Sequence, residues 1–191
     1  VMDLETGKKA LDFLLENSGN RRNLEVDFFG GEPMMNFDVV KELVSYGRER
    51  EKAYGKNFRF TMTTNGLLLN DENIEYLNRE MANVVLSIDG RKEINDAMRP
   101  TVNKKGSYDT IVPNFQKLIA SRGDKDYYIR GTFTNHNLDF SKDVILFHDL
   151  GFEKTSMEPV VTDPNEEYAI REEHLDQILK EYEKLSEDYL R

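Results

Sequence analysis

Val26-Asp27-Phe28-Phe29-Gly30-Gly31-Glu32-Pro33-Met34-Met35, in one-letter form VDFFGGEPMM, starts as an apolar strand and stops at two glycines, a carboxylate and a proline. A plain turn uses glycine for positive φ and proline for a fixed φ, but it has no need of an acid at the lip of a core strand. Four further runs rich in β-branched and aromatic residues share this design. With the first, Leu24 to Phe29, they are Phe58 to Thr63, Asn83 to Ile88, Tyr127 to Thr134 and Glu153 to Val160, and each finishes in hydrogen-bonding groups.

Helical patterns separate the strands. Ala10, Leu11, Leu14 and Leu15 line one face of a leading helix with Asp3 as N-cap, and Phe37, Val40, Leu43 and Val44 line a second capped by Asn36. Ile74 and Leu77 mark a third, and Ile111, Phe115, Leu118 and Ile119 another, whose first turn contains Pro113. Val144, Phe147 and Leu150 predict a helix stopped by Gly151, and Leu175, Ile178, Leu179, Tyr182, Leu185 and Tyr189 a long last one. Alternation of strand and helix predicts right-handed crossovers and a parallel sheet in one domain over residues 1–191. The soft spot Asp163-Pro164-Asn165-Glu166-Glu167 leads into the last helix. A leading helix without its strand suggests a fragment whose first strand lies upstream, which would leave Leu24 to Phe29 with an open edge prone to self-association.

The 191 residues, 38% hydrophobic and 32% charged, suffice for one substantial core. A net charge of −10 argues against a nucleic-acid surface. No run approaches the roughly 20 apolar residues of a membrane span, so the chain reads as soluble and cytoplasmic. It has no cysteine, hence no disulfide or thiolate metal site of its own. His136, His148 and His174 lack paired metal-ligand spacing.

In parallel sheets and βα barrels, chemistry gathers at the carboxyl ends of strands. Those ends are Gly30-Gly31-Glu32-Pro33, Thr63-Thr64-Asn65-Gly66, Ser87-Ile88-Asp89-Gly90, Thr132-Phe133-Thr134-Asn135-His136 and Met157-Glu158-Pro159. The bland readings are turn chemistry for Thr64-Asn65-Gly66, a helix cap for Asp89 and a solvated helix end for Arg99. The functional reading is a rim that receives an ammonium group at Glu32 and a carboxylate at Arg99, which together describe an amino-acid moiety. A barrel enzyme using Glu32, Asp89 and Glu158, such as a glycosidase or a magnesium enzyme, and a binding module without turnover are the alternatives.

Phe28-Phe29-Gly30-Gly31-Glu32-Pro33, Thr64-Asn65-Gly66, Ser87-Ile88-Asp89-Gly90 and Gly106-Ser107-Tyr108-Asp109, in this order, resemble the radical S-adenosylmethionine enzymes of the peptide-maturase (SPASM) and sulfatase-maturase branch. Arg99-Pro100-Thr101, Arg130-Gly131-Thr132-Phe133-Thr134, Met157-Glu158-Pro159-Val160-Val161 and Tyr168-Ala169-Ile170-Arg171-Glu172-Glu173 look more narrowly like the SCIFF maturases, which form cysteine-to-threonine thioethers in a cysteine-rich precursor peptide. The resemblance implies a partial (βα)6 TIM-like barrel with [4Fe-4S] clusters, S-adenosylmethionine, a 5'-deoxyadenosyl radical and an electron donor such as flavodoxin or ferredoxin. It places Gly30, Gly31, Glu32 and Pro33 at the methionine ammonium, Ser87 and Arg99 near its carboxylate, and Asn65 and Asp89 near the ribose or substrate. Thr132, Thr134 and Glu158 become candidates for the substrate-facing wall. The family's C-x3-C-x2-C loop and its C-terminal auxiliary-cluster domain are absent from these 191 residues, so the fragment is expected to be inactive by itself.

Overall fold

The computed structural model describes residues 2–189. Strands β1 (Asn23–Phe28), β2 (Asn57–Thr64), β3 (Asn83–Ser87), β4 (Asp126–Phe133) and β5 (Thr155–Pro159) form one parallel sheet in the order β1-β2-β3-β4-β5. Helix α1 (Leu4–Asn17) precedes them, and α2 (Phe37–Tyr54), α3 (Asp71–Glu80), α4 (Lys92–Met98), α5 (Tyr108–Ala120) and α6 (Ser141–Asp149) supply the crossovers. Helix α7 (Leu175–Tyr189) follows the last strand. Strand order that runs with the sequence is the winding of a barrel rather than of a sheet with a switch point, in agreement with the expected partial (βα) barrel. No helix among the described residues is long and apolar enough to cross a membrane.

The chain divides into two compact units, Val1–Val85 with Leu118–Tyr127, and Leu86–Lys117 with Tyr128–Arg191. In the first, Asp3 accepts from the Thr6 amide at 2.8 Å and starts α1, which buries Leu11 and Leu15. Leu24 pairs with Phe58 and Val26 with Phe60; Leu24, Phe58 and Phe60 are buried, as are Val40, Leu43 and Val44 of α2, and Val26 is partly buried. Gly47 lets α2 come close to β2, since a Cβ there would sit 2.7 Å from the Phe60 ring. Asn36 does occupy the N-cap of α2, but its side chain makes no cap bond; its amide nitrogen donates instead to the Met2 carbonyl at 3.1 Å.

In the second unit β4 buries alternate residues, with Ile129 and Phe133 fully inside. Phe133 stacks on Phe140 at 4.2 Å, and Tyr182 of α7 meets Phe140 edge-on. Pro113 falls inside α5 at its sixth residue, beyond the first turn expected for it, with its ring on the exposed side. Gly151 ends α6 at φ +86°, as its position predicts. The apolar set of α7 splits: Ile178 is buried, whereas Leu175, Leu179 and Tyr189 are exposed.

Candidate functional site

Each unit carries one polar cluster at the carboxyl ends of its strands. In the first unit, Glu32 is the residue around which the loop after β1 is organised. Its Oε1 accepts from the Met34 amide at 3.0 Å and the Thr64 hydroxyl at 2.9 Å, and its Oε2 accepts from the Asn65 amide at 2.8 Å. The carboxylate thus ties the loop after β1 to the loop after β2 with three neutral donors. Among the described residues it has no cationic partner, so its negative charge is solvated by dipoles and matched by nothing. Thr64, 1% exposed, also accepts from the Gly66 amide, and the Asn65 side-chain oxygen accepts from the Leu67 amide, which closes the turn predicted for Thr64-Asn65-Gly66.

Glu32 lines a cavity of about 730 Å³ whose other walls are largely apolar, among them Leu11, Val26, Phe28, Val40 and Leu43. Gly30 and Gly31 form part of the lining with open space where side chains would be. Pro33 opens the short 3-10 turn Pro33–Asn36 that leads into α2. Phe29 and Met35 flank the loop and are 69% and 81% exposed. A cavity of this size, apolar with a few convergent polar groups, is the usual character of a small-molecule site.

In the second unit, Asp89 is 5% exposed and does not cap α4. Its Oδ2 accepts from Arg99 Nε at 2.7 Å, and its Oδ1 accepts from Arg99 Nη2 at 3.0 Å and from the Thr132 amide at 3.0 Å. Arg99 does fork a carboxylate, and here that carboxylate is Asp89. Its Nη1 group donates no hydrogen bond among the described residues. Ser87 closes β3 and is partly exposed.

Beneath Asp89 lies a buried support that the sequence did not disclose. The fully buried carboxylate of Asp143 accepts from the Arg91 amide at 2.8 Å and from the Asn137 side chain at 3.0 Å, and Asn137 also reaches the Asp89 carbonyl at 3.4 Å. Burial pushes the Asp143 carboxyl above its ordinary range. Arg91 lies 3.4 Å from Asp143 and donates two bonds to Asp139, at 2.8 and 3.1 Å. That contact holds the Asp139 carboxyl down at about 2. An Asp two residues into α6 gives no local sign of such a role.

Of the residues expected at a substrate wall, Thr132 lends its amide to Asp89 and Glu158 is paired with Arg130 at 2.8 Å on the exposed face of β4 and β5. The Thr134 hydroxyl is buried and accepts from the His136 amide, capping the turn after β4.

The family model described as the Radical SAM superfamily matches residues 8–130. An uncharacterized protein of Methanocaldococcus jannaschii is 32% identical over 147 residues, covering 76% of this chain and 48% of its own length. The cysteine-type anaerobic sulfatase-maturating enzyme of Clostridium novyi is 31% identical over 117 residues, 61% of this chain and 30% of that protein. The radical SAM cyclopropyl synthase TigE of Paramaledivibacter caminithermalis is 24% identical over 152 residues, 74% of this chain and 30% of that protein. The chain therefore spans about half the length of these relatives, or less. Among solved structures, native anSMEcpe with bound AdoMet and Kp18Cys peptide superposes with a TM-score of 0.86 at 18% identity, over 100% of this chain and 53% of that one, a likeness of fold.

Proposed function

The chain belongs to the radical SAM superfamily, and on that premise we propose that it is the S-adenosylmethionine-binding core of a peptide- or protein-modifying enzyme of the maturase branch. The observation that carries this reading is Glu32: a carboxylate fixed by three neutral donors, without a cationic partner among the described residues, on the wall of a largely apolar cavity. A ligand ammonium supplies the missing charge. Gly30 and Gly31 leave backbone groups bare beside it, and Pro33 holds the loop's exit. Ser87 and the free edge of Arg99 are assigned to the ligand carboxylate, and Asn65 and Asp89 to its ribose or to substrate.

When bound, S-adenosylmethionine supplies the family's 5'-deoxyadenosyl radical chemistry. The residues present do not fit the cluster that goes with it. Iron–sulfur clusters are held by cysteine thiolates, this chain has no cysteine, and no three His, Cys, Asp or Glu among the described residues are grouped to hold a metal. No turnover is therefore expected from this chain alone.

The finer reading is a cysteine-to-threonine thioether in a cysteine-rich precursor peptide, in an intact protein that carries [4Fe-4S] clusters and draws on flavodoxin or ferredoxin. It rests on the motifs from Arg99-Pro100-Thr101 to Tyr168–Glu173, with Thr132, Thr134 and Glu158 as candidate wall residues. The two relatives with named activities, a sulfatase maturase and a cyclopropyl synthase, support a protein- or peptide-modifying class. A carboxylate-based hydrolase gains less support, because Asp89 and Glu158 are each paired with an arginine.

Titration calorimetry of S-adenosylmethionine into the chain tests the site. Binding is expected, and Glu32→Gln, which keeps the size and removes the charge, should weaken it about tenfold, the loss of one charge-assisted contact. Equal affinity in the folded variant removes Glu32 from the ammonium.

A further inference from the structure

In the Gly106-Ser107-Tyr108-Asp109 turn Ser107 is only 4% exposed, and Asn95, the one buried residue of α4, is fully inside. Burying two uncharged polar side chains is costly unless each is satisfied. They satisfy one another and the backbone on either side of the fork. Asn95 Oδ1 accepts from the Asp89 amide at 3.3 Å, Asn95 Nδ2 donates to Ser107 Oγ at 3.0 Å, and Ser107 Oγ donates to the Arg99 carbonyl at 2.9 Å.

We propose that Asn95 and Ser107 are positioning residues that set the Asp89–Arg99 fork for a ligand carboxylate, an inference that rests on the amino-acid site proposed above. The chemistry of the relay is specific. It begins at a backbone donor and ends at a backbone acceptor, so each residue between must accept on one side and donate on the other. A side-chain amide and a hydroxyl do this; a carboxylate or a methyl does not.

The turn that brings Ser107 into place is itself held from α4. Asp96 Oδ1 accepts from the Ser107 and Tyr108 amides, both at 2.8 Å. Gly106 leaves room for that carboxylate, since a Cβ there would lie 2.1 Å from Asp96 Oδ2. Asp96 therefore seats the turn, and Asn95 with Ser107 fixes the spacing between the backbones of residues 89 and 99. With those two points fixed, the guanidinium meets Asp89 along its Nε edge and keeps Nη1 pointing away from that contact, at a side chain 34% exposed. Removing the relay frees Arg99 to take other rotamers, in which both the inner pair and the outward edge are lost.

The test reads the fork directly. The Arg99 Nε–H resonance, assigned by its disappearance in Arg99→Lys, should exchange slowly with solvent because it is bound to a buried carboxylate. Ser107→Ala and Asn95→Asp should each raise its exchange rate about tenfold, the scale of one internal hydrogen bond, while Ser107→Thr, which keeps the hydroxyl, should not. S-adenosylmethionine affinity should fall about tenfold in the first two variants and hold in the third. Unchanged Arg99 exchange in both Ser107→Ala and Asn95→Asp overturns the relay. So does altered exchange with unaltered affinity in those variants, where Arg99→Ala weakens binding. An affinity indifferent to Arg99→Ala instead overturns the amino-acid site, and the relay is then judged on the exchange rates alone.

Discussion

Gly30 and Gly90 have nearly the same backbone conformation, φ +146° and +142°, each in a loop that leaves a strand and carries an acid. Their surroundings are opposite. Around Gly30 a Cβ would meet nothing within 4 Å, and the neighbouring acid, Glu32, is held by neutral donors. At Gly90 a Cβ would lie 2.6 Å from the buried Asp143 carboxylate, and the neighbouring acid, Asp89, is matched by a bidentate arginine. One strand-end design thus gives two electrostatic states. A carboxylate fixed by amides and a hydroxyl has no cation against it among the described residues, whereas one fixed by a guanidinium is paired within the fold and leaves only the arginine's outer edge exposed.

Alanine at the two glycines should break this symmetry most clearly. Both substitutions force an L-residue into a region that is essentially glycine's, at a cost on the order of 1–3 kcal/mol. Gly90→Ala must also displace a carboxylate that is tied by two hydrogen bonds and has no room to swing, adding roughly 1–3 kcal/mol of overpacking. Denaturant unfolding should therefore rank Gly90→Ala as the more destabilised by about 2 kcal/mol. Equal losses would mean that the support under Asp89 yields as readily as open space, and the contrast between the loops would be one of appearance only.

How much of this was legible follows from where the information lies. The strands and the principal helices announce themselves through local periodicity, and Asp3 and Gly151 through capping chemistry, because those forces act within a few residues. Helix α4 is only seven residues long, and the residue it buries is an asparagine, so it lacks the apolar stripe that betrays a helix. The α7 pattern misleads in the opposite direction: Leu175 and Leu179 fit the period of Ile178 but face away from its cluster. At the site, the loops with Glu32 and Asp89 stand out as acids at the ends of apolar strands. Their partners do not. Thr64 is 32 residues from Glu32, and Asn137 and Asp143 are far along the chain from Asp89 and Arg91, so only tertiary approach selects them. Asp89 itself was open to a reading as a helix cap, since aspartate before a helix is locally sufficient for one.

A second way to sharpen the contrast is to withdraw the cation. In Arg99→Leu the Asp89 carboxylate, 5% exposed, keeps only the Thr132 amide. Removing one member of a buried pair costs about 3–5 kcal/mol; Arg99 reaches solvent, so roughly 2 kcal/mol is expected. Restoration of most of that loss in Asp89→Leu/Arg99→Leu would show that the penalty belongs to the stranded charge. A single variant as stable as the parent, by equilibrium urea unfolding, would leave the fork without structural weight.

The smallest expected effect concerns the outer ion pair of the same cluster, and its signature is a contribution that disappears in acid. Hydrogen bonding to Arg91 lowers the folded-state carboxyl of Asp139 to about 2, below the ordinary aspartate value of 3.8. Such a group adds stability that is complete above the unfolded value and is lost as the pH falls from about 4 towards 2. Asp143 acts with the opposite sign: its raised carboxyl penalises the fold when ionised, and protonation on descending pH relieves that penalty. Asp139→Asn removes the first contribution and keeps the second. The stability difference between parent and variant, from urea unfolding at a series of pH values, should therefore be constant above about pH 5 and shrink towards zero near pH 2. A difference that ignores pH would mean that Arg91 is placed by its contact with Asp143 and by packing alone. The charge compensation that separates this loop from the one around Glu32 would then reside wholly in Asp89 and Arg99.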